Sequence, residues 1–158
     1  MLIMRRLEQG PLGGQLVYRA EDYEIDFDQI GTSQQTEAGT ASLLLGTLQI
    51  DFDVSSGELI APWGLLPHTR WVVGPLSSLV GVDSARLAIA GVRMDTGVAI
   101  AIGTADEWTT NFDASRGQLQ LSMAHVNPDT FVEFATGCVL GLSARRPVVL
   151  RLSPRFDW

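Results

Sequence analysis

The sequence predicts an all-β fold, a mainly antiparallel sandwich or barrel with at most one or two short helices. Apolar residues recur at every second position far more often than at helical spacing. Sixteen glycines and seven prolines interrupt the apolar runs at short intervals, as closely spaced turns require. One turn sequence also occurs twice. Phe52-Asp53-Val54-Ser55-Ser56-Gly57-Glu58-Leu59 returns as Phe112-Asp113-Ala114-Ser115-Arg116-Gly117-Gln118-Leu119, with the same residue at five of the eight positions. In each copy an Asp can accept hydrogen bonds from the backbone that follows, and a Gly supplies the positive φ that closes the loop. The flanks do not repeat, so what recurs is a hairpin device and not a domain.

Taken in order, strands are expected over residues 15–19 and 23–27, then where Leu48, Ile50 and Phe52 alternate with Gln49, Asp51 and Asp53. Further strands are expected over 70–73, 86–90, the alternation Val98, Ile100, Ile102, and 107–112. The last are the alternation Leu119, Leu121, residues 131–135 and 138–142, and Val148, Leu150 and Leu152 alternating with Val149 and Arg151. Residues 31–40 (GTSQQTEAGT) read as one long exposed loop. Residues 76–82, after Pro75, suit a turn or two of helix, and 123–125 suit the end of a strand as well as the start of a helix. No linker or charge block divides the chain, so residues 1–158 are expected to form a single mainly-β domain.

Eighteen acidic residues against eleven basic ones give a net charge of −7, and every basic residue is arginine. That balance disfavours nucleic acid and anionic membranes and favours a basic protein partner. No apolar run is long enough for a membrane helix. The stretch from Met1 to Gly10 lacks the charged-then-apolar order of a secretory signal, which leads us to expect a cytoplasmic protein. Phosphate-loop motifs are missing, since Gly13-Gly14 has no lysine to follow it, and no cofactor is expected. The single cysteine, Cys138, excludes an intramolecular disulfide and a cysteine-rich zinc site. Its apolar run reads as a buried thiol. Exposed strand edges leave homo-oligomerisation open.

The stretch from Leu48 to Trp71 concentrates the chemistry. Asp51, Asp53 and Ser55 stand at alternate positions, as in a calcium loop. However, the sixth position is Ser56 where glycine belongs, and the twelfth is Pro62 where a bidentate glutamate belongs. Nothing resembles a nucleophile elbow. The two histidines, His68 and His125, do not make metal-ligand spacing, and with Cys138 they supply the residue types of a cysteine–histidine nucleophile pair. Asp51 and Asp53 share a strand face with Gln49, as Glu24, Asp26 and Asp28 do on an earlier strand. These faces are either solvated or line a cavity, where one acid would have a raised pKa. No catalytic constellation emerges, and the balance favours a protein that is not an enzyme. Trp63, His68 and Trp71 bracket a proline-interrupted loop and Trp108 opens another strand. Trp63, His68, Trp71, Trp108 and Asp51 are therefore the candidate binding residues.

The succession of Trp63-Gly64-Leu65-Leu66-Pro67, Trp71, Phe134-Ala135-Thr136-Gly137-Cys138-Val139 and Val148-Val149-Leu150-Arg151-Leu152-Ser153-Pro154 resembles small bacterial proteins of the immunity type. Such proteins neutralise a toxin made by the same cell. The resemblance implies a non-enzymatic cytoplasmic binding protein and transfers no catalytic residue. The residues leave an alternative open, a β-barrel whose tryptophan-lined apolar cavity binds or cyclises a small molecule, assisted by an acid such as Asp51 or Glu107.

Overall fold

A computed structural model describes residues 1–30 and 38–158; the loop expected over 31–40 lies outside them for most of its length. Among the described residues the strands are β1 (Ile3–Arg6), β2 (Gly14–Arg19), β3 (Glu24–Gln29), β4 (Thr40–Leu45), β5 (Leu48–Asp53), β6 (Leu59–Leu65), β7 (Val72–Val73) and β8 (Val82–Ser84). They continue with β9 (Leu87–Ala90), β10 (Ala99–Ala101), β11 (Trp108–Asp113), β12 (Gln118–Met123), β13 (Thr130–Ala135), β14 (Cys138–Ser143), β15 (Arg146–Leu152) and β16 (Arg155–Asp157). Three short 3-10 turns complete the regular structure, and no described helix is long and apolar enough to cross a membrane.

The fold is an all-β sandwich. One seven-stranded sheet runs β10-β4-β5-β6-β3-β2-β16 and the other β7-β11-β12-β15-β14-β13-β8. The interior ladders are antiparallel, whereas the four outermost strands, β10, β16, β7 and β8, pair in parallel. Each edge strand is only two or three residues long, which leaves little free backbone for another chain to extend the sheet. Alternation decides what faces inward. Leu43, Leu45, Leu48, Ile50, Phe52 and Ile25 of the first sheet meet Leu119, Leu121, Phe134, Leu140, Leu150 and Leu152 of the second in one core. A separate ribbon of β1 and β9 adds Met4, Leu87 and Ile89 to that core.

The repeated turn behaves as its sequence suggests. Asp53 Oδ1 accepts the N–H groups of Ser55 at 2.7 Å and Ser56 at 3.2 Å. Asp113 Oδ1 likewise accepts those of Ser115 at 3.0 Å and Arg116 at 3.2 Å. Gly57 and Gly117 close the two loops at φ 76° and 62°. The surroundings differ. Asp113 is buried, and its second oxygen accepts the Leu76 N–H at 2.9 Å.

That last bond begins a strap that replaces the helix expected over 76–82. Gly74 N–H donates to the Phe112 carbonyl at 2.9 Å. Arg151 Nη1 donates to the Ser77 carbonyl at 3.0 Å, and Arg116 Nη1 to Ser78 Oγ at 3.0 Å. Backbone groups that a helix would pair internally are given to the sheet instead. The strap lies on the outer face of the second sheet and changes the reading of β15 as well. Rather than alternating between core and solvent, residues 147–152 are all buried, including Arg151 at 3% exposure. The strand is central, between β12 and β14, and its outward arginine is enclosed by Gln118, Gln120 and the strap. Near the other tryptophan loop, the strand expected over 70–73 is instead a 3-10 turn, His68–Arg70, followed by the two-residue β7.

Candidate functional site

The five candidate binding residues fall into two places on the sandwich. The first is a corner where β6 leaves its sheet. Leu66 is held from both sides: its N–H donates to the Tyr23 carbonyl at 2.6 Å, and its carbonyl accepts the Tyr18 hydroxyl at 2.7 Å. The same hydroxyl accepts the backbone N–H of His68 at 3.1 Å. Tyr18 is fully buried, and burial raises the pKa of its hydroxyl. A side chain on β2 therefore fixes the segment that carries His68, Arg70 and Trp71.

Around this corner the aromatic rings assemble. Trp71 lies 4.7 Å from Tyr18 and 5.0 Å from Phe112, centroid to centroid. His68 packs among Tyr18, Tyr23, Trp71 and Trp158, and Phe156 stacks on Trp158 at 5.4 Å. Trp108 stands beyond them, 9% exposed, with its indole N–H donated to the Ile102 carbonyl at 2.7 Å. Trp71 and Trp108 share a cleft of about 220 Å³ between the β4–β5 turn, the Leu66–Trp71 corner and β11.

The second place is the outer face of the first sheet. Ile50 and Phe52 point into the core, so Asp51 points out; Ile25 does the same for Glu24 and Asp26. Trp63 stands on this face at 38% exposure, with Leu65 more exposed beside it. Asp51 Oδ1 accepts the Trp63 indole N–H at 2.8 Å and the Ser42 hydroxyl at 2.6 Å, and no hydrogen bond reaches Oδ2 among the described residues. Next to Trp63 the sheet parts. The β3–β6 ladder consists of Glu24 opposite Leu65 and Ile25 opposite Gly64. Two residues further on, Pro62 would face Phe27, and proline has no N–H to continue a central ladder. The Phe27 N–H is taken by Asp26 Oδ1 at 2.9 Å. A cleft of about 250 Å³ opens at the split, lined by Asp26, Asp51, Pro62 and Trp63.

The chain matches no protein-family model, and no curated protein matches it. Its chemistry is thus read from its own residues. Cys138 is fully buried and burial pushes its thiol well above the ordinary range, which removes it as a nucleophile. His125 lies in the loop after β12, apart from the aromatic corner that holds His68. Glu107 accepts the Thr104 N–H at 3.2 Å in a capping box. Hydrogen bonds from Ser55 and Ser56 hold the Asp53 carboxyl below its usual value, those from Ser55 being foremost. No three His, Cys, Asp or Glu side chains come together as metal ligands among the described residues.

Reading the sequence singled out the tryptophans but missed Tyr18, Phe112 and Phe156. All three are inward positions of alternating strands, and nothing local distinguishes such an aromatic from ordinary core. Asp113 was signalled by the repeated turn. Arg151 carried only one signal, a charge in an otherwise apolar strand.

Proposed function

We propose that this chain is a cytoplasmic bacterial binding protein of the toxin-neutralising immunity type, acting without catalysis on a basic protein partner. The observation that carries this reading is the outer face of the first sheet, where Trp63 is pinned by Asp51 beside the split between β3 and β6. Glu24, Asp26, Asp28 and Asp51 project from this face, and Arg19 of the neighbouring β2 lies 3.5 Å from Asp26. A held tryptophan offers contact area at little entropic cost. The carboxylates around it would steer a basic cleft into register. The unused Oδ2 of Asp51 gives such a partner's arginine or lysine an acceptor already in place. The filled interior of the sandwich supports this surface over an enclosed ligand chamber, since Tyr18, Phe52 and Phe134 occupy the space between the sheets.

Native mass spectrometry of the tagged protein, gently purified from its own host, tests the reading. A stoichiometric basic polypeptide is expected, released by raising salt and weakened at least about thirtyfold by Trp63→Ala, the loss of a hot-spot side chain. A partner that ignores both Trp63→Ala and the paired change Asp26→Asn, Asp28→Asn would overturn the choice of surface. Recovery of the chain alone or only with copies of itself would overturn the function.

A further inference from the structure

We infer that a groove on the outer face of the second sheet binds an uncharged sugar, with a pyranose ring stacked against Phe131. This inference depends on neither the acidic face nor its partner. Strand register sets the floor of the groove. Ser122 of β12 stands opposite Val149 of β15, Val149 opposite Gly141 of β14, and Gly141 opposite Phe131 of β13. Their neighbours Leu121, Leu150, Leu140 and Val132 turn into the core, so this row faces out. Gly141 has no side chain, and a Cβ there would stand 2.9 Å from Val149 Cβ and 3.1 Å from Phe131 Cε1. The phenyl ring therefore lies over the glycine, half-buried, and lines the groove. Three strand spacings, roughly 14 Å, separate it from Ser122. The strap adds Ser77 and Leu79 to the walls, and the loop after β12 adds His125, Val126 and Asn127. The groove has a volume of about 510 Å³, within the range of small-molecule sites.

The lining selects the ligand. No Asp, Glu or Arg lines the groove among the described residues, so a charged ligand would shed water there without gaining an opposite charge. The polar groups that do line it have hydrogen bonds to spare. Gln120 Oε1 accepts from Arg151 Nε at 2.9 Å and from Nη2 at 2.6 Å. Arginine only donates, so this fork fixes which end of the amide faces it. The Gln120 NH2 group is left without an acceptor among the described residues. The side chains of Ser122 and Asn127, which also line the groove, likewise make no hydrogen bond among the described residues. A purely apolar ligand would strip these groups of water and leave them unpaired. A pyranose instead offers hydroxyls around its rim and a C–H face to the phenyl ring. A peptide strand would need free backbone, and β12, β15 and β14 are each paired on both sides. The site is also formed in advance. Asp113 and Arg151 hold the strap through Leu76 and Ser77. Ala124 N–H donates to the Glu107 carbonyl at 3.1 Å and Asp129 N–H to the Leu142 carbonyl at 2.7 Å, which ties both ends of the loop.

The test is titration of the 15N-labelled full chain with cellobiose, maltose, lactose and diacetylchitobiose, following the backbone and Gln120 side-chain amide signals by NMR. Cyclohexanol, glucuronate and an uncharged dipeptide capped at both ends are the comparisons. At least one of these disaccharides is expected to shift the Gln120, Ser122 and Phe131 signals saturably. It should bind at least about tenfold more tightly than each comparison. Phe131→Leu keeps an apolar side chain over Gly141 but removes the ring, and should weaken binding about tenfold. Ser122→Ala removes one hydroxyl from the floor and should weaken it about threefold; it tests the site even if the first variant is unstable. Absence of a saturable shift with every disaccharide would overturn the inference. So would equal binding of cyclohexanol, glucuronate or the dipeptide, or indifference of the bound disaccharide to a folded Phe131→Leu or to Ser122→Ala.

Discussion

Replacing Tyr18 by Phe removes one oxygen and leaves the ring, so it tests the corner directly. The ring keeps its contacts with Trp71 and Phe156, at 4.7 and 5.9 Å. What disappears is the bond to the Leu66 carbonyl and the acceptor for the His68 N–H. Leu66 is 3% exposed, so its carbonyl is left unpaired away from water, a loss of about 1–3 kcal/mol. His68 is half-buried and its N–H can find water, which places the second loss near the low end of about 0.5–1.5 kcal/mol. Together they should destabilise the fold by about 2 kcal/mol, or roughly 4–8 °C in Tm for a chain of this length. Urea and thermal unfolding followed by circular dichroism measure this. Tyr23→Phe is the control, because that residue is exposed and its hydroxyl makes no hydrogen bond among the described residues; it should change stability by less than about 0.5 kcal/mol. A second signature is alkaline. Burial raises the Tyr18 pKa above its ordinary 10.0, so the unfolded chain gives up this proton first. The stabilisation is complete below pH 10 and is lost as pH rises above it, a loss absent from Tyr18→Phe. If Tyr18→Phe were as stable as the parent and lost stability equally at alkaline pH, the hydroxyl would not be what holds the corner.

Two further outcomes follow from the repeated turn. Gly57→Ala and Gly117→Ala make the same change at φ 76° and 62°, and each should lose about 1 kcal/mol from the left-handed backbone. A Cβ at Gly57 would also run into the Ile89 carbonyl, whereas at Gly117 its nearest neighbour is Phe156 at 3.7 Å. Gly57→Ala should therefore be the more damaging by at least about 1 kcal/mol in urea unfolding, and equal losses would remove that contact from the account. Asp113 is held down to about 2, chiefly by the Leu76 N–H and then by the Ser115 hydroxyl. Because that lies below the ordinary 3.8, its stabilisation is present above about pH 4 and disappears as pH falls through about 2. Asp113→Asn should melt earlier than the parent at neutral pH and open the strap to limited proteolysis around residues 74–81. The gap in Tm should close between pH 4 and 2, and a gap that does not change with pH would show that the charge has no part in holding the strap.

Much of the fold was legible because a half-buried strand writes its inward face into every second residue. Leu48, Ile50 and Phe52 lie inward as their spacing indicates, and the Asp–Gly turns at 53–57 and 113–117 close as their residue types require. The expectation failed where a segment's partners are remote. Residues 76–82 have enough apolar content for a helical turn, yet Asp113 and Arg151, both far along the chain, claim their backbone groups. The alternation of β15 misled for the same reason, because a strap from residues 74–81 covers its outer face. Trp63, Trp71 and Trp108 stand out in the sequence as a residue type, but their sorting was not legible. Trp63 faces out because its strand pairs Gln49 opposite it, while Trp71 is drawn inward by rings from β2, β11 and β16.

The sequence by itself determined the all-β class, the turn chemistry and the acidic balance, because alternation, glycine and proline geometry and net charge are local or additive properties. The tertiary structure alone decided which aromatics meet at the Tyr18 corner, that Pro62 parts the first sheet beside Trp63, and that Trp71 and Trp108 line one cleft. Those depend on strand order and on which sheet faces cover one another, and contacts between residues so far apart in the chain leave no periodic trace in it.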